Sequence, residues 1–148
     1  MEWEIYGLEK DEKGYWFYSE GPQGRIRKII EFQWVQGLGN STFNLALGDF
    51  KDGADRMDDR SISNNHDRLK VLHTVATAVI YFLRDHPRSI LLIIPASPVR
   101  ARLYQMMISS VSEAVEKQYE VYGKHGSYWI PFRKGLSYTE FFVYKKIE

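Results

Sequence analysis

The feature that most restricts the fold is the run Ser89–Pro95, SILLIIP, set between two segments with helical apolar spacing. It is far short of the ~20 apolar residues that span a bilayer, and it reads as a strand covered on both faces. Before it, Leu69, Leu72, Val75, Ala76, Val79, Phe82 and Leu83 recur at helical spacing, which predicts an amphipathic helix over Asp67–Arg84. Asn65 or Asp67 could cap that helix, and His86-Pro87 ends it because proline cannot continue the hydrogen-bond ladder. After the run, Ser97-Pro98 is a helix start, with a good N-cap followed by proline in the first helical position. The second helix reads from there to about Gln118, with Val99, Leu103, Met107, Val111, Ala114, Val115 and Gln118 as its apolar face and Met106 and Ile108 widening it. Strand, helix and strand in this order suggest a right-handed crossover unit.

The flanks read as strands. Tyr15–Ser19 leads into Gly21-Pro22-Gln23-Gly24, which is turn chemistry, and Arg25–Val35 then alternates with Ile26, Ile30, Phe32 and Trp34 on one parity. Lys28 and Ile29 break the alternation, so a bulge is expected near them. Thr42–Asp49 is a third strand. Tyr119–Tyr122, Tyr128–Phe132 and Tyr138–Lys146 are three more, separated by turn-like glycine segments, with both ends of the chain forming antiparallel meanders. The expected architecture is α+β: a single mixed β-sheet in the order β-β-β-α-β-α-β-β-β with two amphipathic helices packed on it. Residues 1–148 read as a single domain, with 1–14 as a loosely ordered N-terminal segment.

The composition suits such a fold: 44% hydrophobic, 26% charged and 15% aromatic residues, in the globular range and rich in strand-forming rings. A net charge of +1 gives no global field toward nucleic acid or membrane. The charge is uneven, however. Residues 1–20 carry two Lys against six acids, and residues 117–148 carry six Lys and Arg against three Glu. This asymmetry marks either a binding face or a contact between the two ends. The absence of cysteine excludes disulfides, zinc fingers, iron–sulfur clusters and thiol nucleophiles. MEWEIYGLEKDEKG is acidic and lacks the apolar stretch of a signal peptide, so the cytoplasm is the expected location and no membrane partner is expected.

Three places could carry chemistry. At Pro95–Tyr104 a buried strand gives way to a helix start, whose free N–H groups and partial positive charge favour an anion, with Arg100 and Arg102 adding full charges. The alternative is a plain cap at Ser97 with both arginines solvated or paired. No Walker loop or GxGxxG accompanies the segment, so no cofactor is expected. The second place is the loop over residues 50–66 and the helix start after it. Asp55, Asp58 and Asp59 could hold a divalent ion in a metal-dependent nuclease, and His66 beside Asp67 could act as a general base. Yet residues 51–70 balance five cations with five Asp and lack EF-hand spacing, so a solvated, helix-capping loop reads better than a metal site. The two helix starts could share one edge of the sheet, so that Asn65, Asp67 and Lys70 would face Arg100 and Arg102 across a cleft. The third place is the C-terminal mixture of Tyr128, Trp129, Phe132, Arg133, Lys134, Tyr138, Lys145 and Lys146, which would either stack bases or pack as core. His73, His86 and His125 show no zinc spacing, and Ser97 lacks a GxSxG setting.

The segments Tyr15–Lys28, Phe43–Asp49, Asn64–Ala76 and Ala96–Tyr104 resemble a small bacterial family of unknown function over nearly all of residues 15–146. The resemblance implies a compact α+β protein in a toxin–antitoxin or phage-defence setting. The positions that match its motifs are Asn65, Asp67, Lys70, Arg100, Arg102 and Tyr104. His66 stands where the family carries glycine in Asn-Asn-Gly-Asp, and Pro95-Ala96-Ser97 stands for its Gly-Ser-Thr. The expected function is binding of a phosphate-bearing ligand, nucleic acid or nucleotide. Asn65, Lys70, Ser97, Arg100, Arg102 and Tyr104 would be the contacts, and His66 or Asp67 would be the candidate proton handlers. The alternative is a non-enzymatic interaction module that pairs with a partner protein or with itself as a homodimer.

Overall fold

A computed structural model describes residues 3–39, 41–50, 57–58 and 65–147. Among the described residues nine strands form one mixed sheet: β1 Glu9–Lys10, β2 Gly14–Gly21, β3 Gly24–Trp34, β4 Thr42–Phe50, β5 Met57–Asp58, β6 Ile90–Ile93, β7 Tyr119–His125, β8 Tyr128–Pro131 and β9 Phe141–Lys145. Two helices, α1 Arg68–Asp85 and α2 Pro98–Val115, complete the α+β fold. The spatial order is β1-β2-β3-β4-β6-β9-β7-β8, with the short β5 pairing β4. β4 and β6 are parallel neighbours joined through α1, as the crossover reading requires.

The strand pattern sorts the side chains into two faces. Tyr15 and Phe17 of β2, Ile30 and Phe32 of β3, Leu45 of β4, Leu91 and Ile93 of β6, and Phe141 and Val143 of β9 turn to one side. There they form a core with Leu72, Val75, Val79, Phe82 and Leu83 of α1 and Tyr104, Met107, Ile108 and Val111 of α2. Phe32, Phe82 and His86 stack in series at 4.1 and 4.5 Å between centroids. Tyr138 closes the far end. It lies against Gly123, where any Cβ would run into its ring, and its hydroxyl accepts the Arg133 N–H at 2.9 Å.

Several expectations are corrected. No bulge interrupts β3: the register runs unbroken from Gly14↔Glu31 to Gly21↔Gly24. Lys28 breaks the alternation because a buried charge occupies a core-facing position, where it meets its register partner Asp49. The C-terminal strands are no simple meander, since β9 inserts between β6 and β7 and leaves β8 at the edge. β6 is apolar on both faces but covered by helices on one: Leu91 and Ile93 are buried, while Ile90 is 38% exposed. The expected face of α2 is buried at Met107, Ile108 and Val111 and half-buried at Leu103 and Val115, but it differs at its flanks. Arg100, Ala101, Tyr104, Met107, Ile108 and Val111 are buried, whereas Val99 and Met106 are exposed, because the stripe carries an arginine inside it. Leu69 likewise stands outside the buried face of α1. Of the two readings of the uneven charge, a contact between the ends is not seen in the sheet: β1 and β2 form one edge, while the C-terminal β9 lies between β6 and β7.

The N-terminal segment lies along α1. Trp3 donates its indole N–H to Thr77 at 2.9 Å, and the Tyr6 N–H is accepted by the Thr74 hydroxyl at 3.0 Å. Both threonines also bond back to the carbonyl four residues earlier, so α1 offers the segment polar footholds without leaving its own groups unsatisfied.

Candidate functional site

Because β4 and β6 are parallel, their carboxyl ends lie at one edge of the sheet, together with the β2–β3 hairpin tip at Gly21–Gly24. Both helices start there, and the sequence candidates divide into two groups.

The first group is Asn65, His66, Asp67 and Lys70. Asn65 is 1% exposed and holds the hairpin tip: its amide donates to Gly24 O at 2.8 Å and to Ser19 Oγ at 3.2 Å, and its Oδ1 accepts the Gln23 N–H at 2.7 Å. Gly21 permits this approach, since a Cβ there would run into the Asn65 carbonyl. His66 has φ 60°, the left-handed region that favours glycine. Asp67 occupies the N-cap position of α1 but makes no capping bond. Its Oδ2 instead accepts from Ser19 Oγ at 2.5 Å and from the Tyr6 hydroxyl at 2.6 Å. Burial pushes the Tyr6 hydroxyl above the usual tyrosine range, and its bond to the Asp67 carboxylate pushes the same way. Lys70 pairs with Glu4 at 3.2 Å and lies 4.1 Å from the Tyr6 ring centre. This group therefore joins hairpin, N-terminal segment and helix.

The second group surrounds a cavity of about 70 Å³ between β2–β4 and the first turns of both helices. On the sheet side Lys28 Nζ meets Asp49 Oδ1 at 2.7 Å, with both side chains almost wholly buried. On the helix side stands Arg100, 7% exposed, whose Nη1 donates to Leu47 O at 3.2 Å. Tyr104, one turn on, lines the same space, and Phe17, Ile30, Val71, Leu72, Val75 and Leu103 supply apolar walls. The local sequence explains the placement of Arg100. Ser97 Oγ accepts the Arg100 N–H at 3.2 Å and Pro98 carries no N–H, so the cap starts the helix and turns its third residue inward. With those amides accounted for, side chains dominate the electrostatics of the helix end.

Of the residues singled out from sequence, Arg100 and Tyr104 line the cavity. Asn65, His66, Asp67, Lys70, Ser97 and Arg102 are not among its lining residues, and Arg102 is exposed on the outside of α2. The two helix starts do share one edge, but α1 faces Arg100 with Val71, Leu72 and Val75 rather than with Lys70. Lys28 and Asp49 were missed; their signal was the charge at an apolar strand position. Asp55 and Asp59, and the side chain of Asp58, lie outside the described residues. Among the described residues no cluster of three metal-ligating side chains occurs, and no helix is long and apolar enough to cross a membrane. In the C-terminal mixture, Tyr138 is buried and Phe132 packs against the core, while Tyr128 and Trp129 are exposed.

Searches of curated proteins and of solved structures each found no significant match. A family model described as a family of unknown function, DUF6934, matches residues 2–146, and the chain belongs to that family.

Proposed function

We propose that the protein binds a phosphate-bearing ligand, a nucleotide or nucleic acid, through the cavity bordered by Lys28, Arg100 and Tyr104. The observation that carries this reading is the presence of two buried cationic side chains, one from the sheet and one from α2, on opposite walls of one cavity. A water needs about 10–15 Å³ of such space, so about 70 Å³ accepts a phosphate-sized group. Charge attraction is stronger in a desolvated site than in water, and a guanidinium and an ammonium together suit a phosphate, as fork and as point charge. Asp49 has a defined part: it pairs with Lys28 and holds it in place at the cavity wall. Apolar walls with a few placed polar groups are the usual make-up of a ligand site.

The bacterial cytoplasm and a toxin–antitoxin or phage-defence setting belong to the same proposal, on the strength of the motif resemblance. In that setting the phosphate would be part of an RNA or a nucleotide, and co-purification with the neighbouring gene product tests the setting itself.

The binding test titrates inorganic phosphate, nucleoside monophosphates and a short RNA into the protein by calorimetry at two salt concentrations. Binding should weaken as salt rises. Arg100→Ala should lower affinity by about tenfold or more, as expected for a buried charge-assisted contact, while Arg102→Ala should leave phosphate affinity unchanged. Circular dichroism confirms that each variant is folded. Wild type that fails to bind at millimolar ligand, or that binds no better than Arg100→Ala, removes the proposal.

A further inference from the structure

The sheet face opposite the helices carries a second, unrelated feature. Strand register places Trp16 and Tyr18, Ile90 and Leu92, and Tyr122, Trp129, Phe142 and Tyr144 on that side. None of them belongs to the core cluster or packs against it. β6 states the problem most sharply: its sequence is that of a strand buried on both faces, yet no helix among the described residues lies over its outer residues Ile90 and Leu92. Among the described residues no helix covers this face, and its large apolar side chains, on β2 and on β6, β9, β7 and β8 to either side of the more polar β3 and β4 positions, mark an interaction surface.

Ring geometry and charge narrow the occupant. Tyr122 and Phe142 stack at 4.8 Å with planes 11° apart, Phe142 and Tyr144 lie at 6.2 Å and 14°, and Trp129 leans on Phe142 at 5.1 Å. Tyr122, Phe142 and Tyr144 give their ring faces to one another, which leaves less of those faces for bases to stack on. The charges around the rings are paired within the face: Glu120 with Lys146 at 3.7 Å, Lys124 with Glu140 at 3.4 Å, and Glu20 with Arg25 at 3.7 Å. Arg25 and Arg27 also lie over the rings of Tyr18 and Trp16. A surface balanced in this way has no net field to recruit a polyanion, a polycation or an anionic membrane, whereas it is electrically compatible with a copy of itself.

We infer that this face docks on the same face of a second copy of the chain, giving a symmetric, sheet-on-sheet homodimer. Such packing is the standard solution for two twisted sheets with apolar faces, and a two-fold axis lets one self-compatible patch serve both partners. The size is adequate. Seven strands along the path from β2 to β8, about 4.8 Å apart and about five residues long, present on the order of 500 Å² of projected surface. The accessible area of a ridged surface is larger, and a standard interface takes about 800 Å² per partner. This inference is independent of the cavity.

The test is sedimentation equilibrium of the full chain over micromolar to millimolar concentration, for wild type and two separate disruptions of the face, Tyr122→Lys/Trp129→Lys and Ile90→Lys/Leu92→Ser. Tyr128→Lys serves as control, since Tyr128 is 75% exposed but turns to the other face. Wild type and Tyr128→Lys should sediment as dimers, and at least one folded disruption should raise the dissociation constant about 100-fold, as for loss of a central apolar anchor. Tryptophan emission should shift to the red on dilution of wild type, because Trp16 and Trp129 both lie on this face. Wild type that stays monomeric at millimolar concentration overturns the inference, as does a dimer that persists unchanged in folded disrupted variants. Phosphate titration of the monomeric variants reads the cavity separately, so the two proposals stand or fall apart.

Discussion

Asn65 and Arg100 are both buried polar side chains near the start of a helix, at the same edge of the same sheet, and they use that position in opposite ways. Asn65 has three bonds of 2.7–3.2 Å to backbone and hydroxyl groups of the β2–β3 hairpin. Neighbouring Asp67 likewise accepts from two hydroxyls, so the corner reads as a polar weld between chain segments. Arg100 reaches a carbonyl of β4 at 3.2 Å and borders a cavity that Lys28 and Asp49 enter from the other side. Burial of a polar group is therefore a poor guide to a site. What separates the two regions is whether a cavity lies within reach of the charge.

The comparison breaks most visibly at Lys28 and Asp49. Removing one partner of a buried pair leaves an uncompensated charge and costs about 3–5 kcal/mol, whereas replacing both by apolar side chains is often neutral. Lys28→Met and Asp49→Leu should each lower the thermal midpoint by roughly 10 °C or more, and the double variant should recover most of that loss. If the cavity takes phosphate, the double variant is stable and binds it less well than wild type. Thermal denaturation with phosphate titration of all four proteins reads both effects, and full additivity of the single losses would disprove the coupling.

Asn65→Ala should come next. It removes three hydrogen bonds and leaves buried hairpin groups unsatisfied, a loss of about 2–3 kcal/mol, seen as a lower urea midpoint. Phosphate affinity of the folded fraction should not change. An effect on affinity as large as that of Arg100→Ala would erase the distinction between weld and cavity.

His66→Gly should act in the other direction. A side chain at φ 60° costs about 1 kcal/mol relative to glycine in the left-handed region, so the variant should be more stable by about 0.5–1 kcal/mol, a rise of roughly 2–3 °C in midpoint. A fall would show that contacts of the His66 ring outweigh its backbone strain.

These residues also show how far a sequence can be read. Apart from the two-residue β1 and β5, which were not expected, element order followed from local rules: the Gly-Pro-Gln-Gly turn, the Ser97-Pro98 start and the His86-Pro87 stop each act through one or two residues. Hydrophobic pattern was less reliable where a charge is buried. A bulge was expected near Lys28, and Arg100 was left out of the buried stripe of α2, because a pattern argument treats every charge as solvent-facing. The same two residues turned out to border the cavity. The insertion of β9 between β6 and β7 was not legible, since strand order depends on long-range pairing that no local signal encodes. The open face was hidden for a related reason: β6 reads as buried on both sides, and sequence does not say whether the second cover comes from the same chain.

The smallest effect expected is one of pH, and it lies on the weld side of the comparison. His73 sits on α1 beside Trp3, with ring centres 5.6 Å apart, and its Nε2 is buried with no hydrogen-bond partner among the described residues. Burial lowers its affinity for a proton below that of an ordinary histidine. The unfolded chain, with its histidine titrating near pH 6.5, therefore binds the proton more readily than the folded one. Stability attributable to His73 is then complete above that pH and declines as pH falls through the interval down to the lower folded value. Urea midpoints at successive pH values should fall more steeply across this interval in wild type than in His73→Gln, and the His73 ring resonance should titrate at a lower pH than a histidine in a disordered peptide. Because Trp3 is tied to α1 through Thr77 at 2.9 Å, acidification should loosen the N-terminal segment first, visible as faster amide exchange in α1 near His73. Equal pH slopes in the two proteins would mean that the ring is solvated when folded, and that the segment does not shield it.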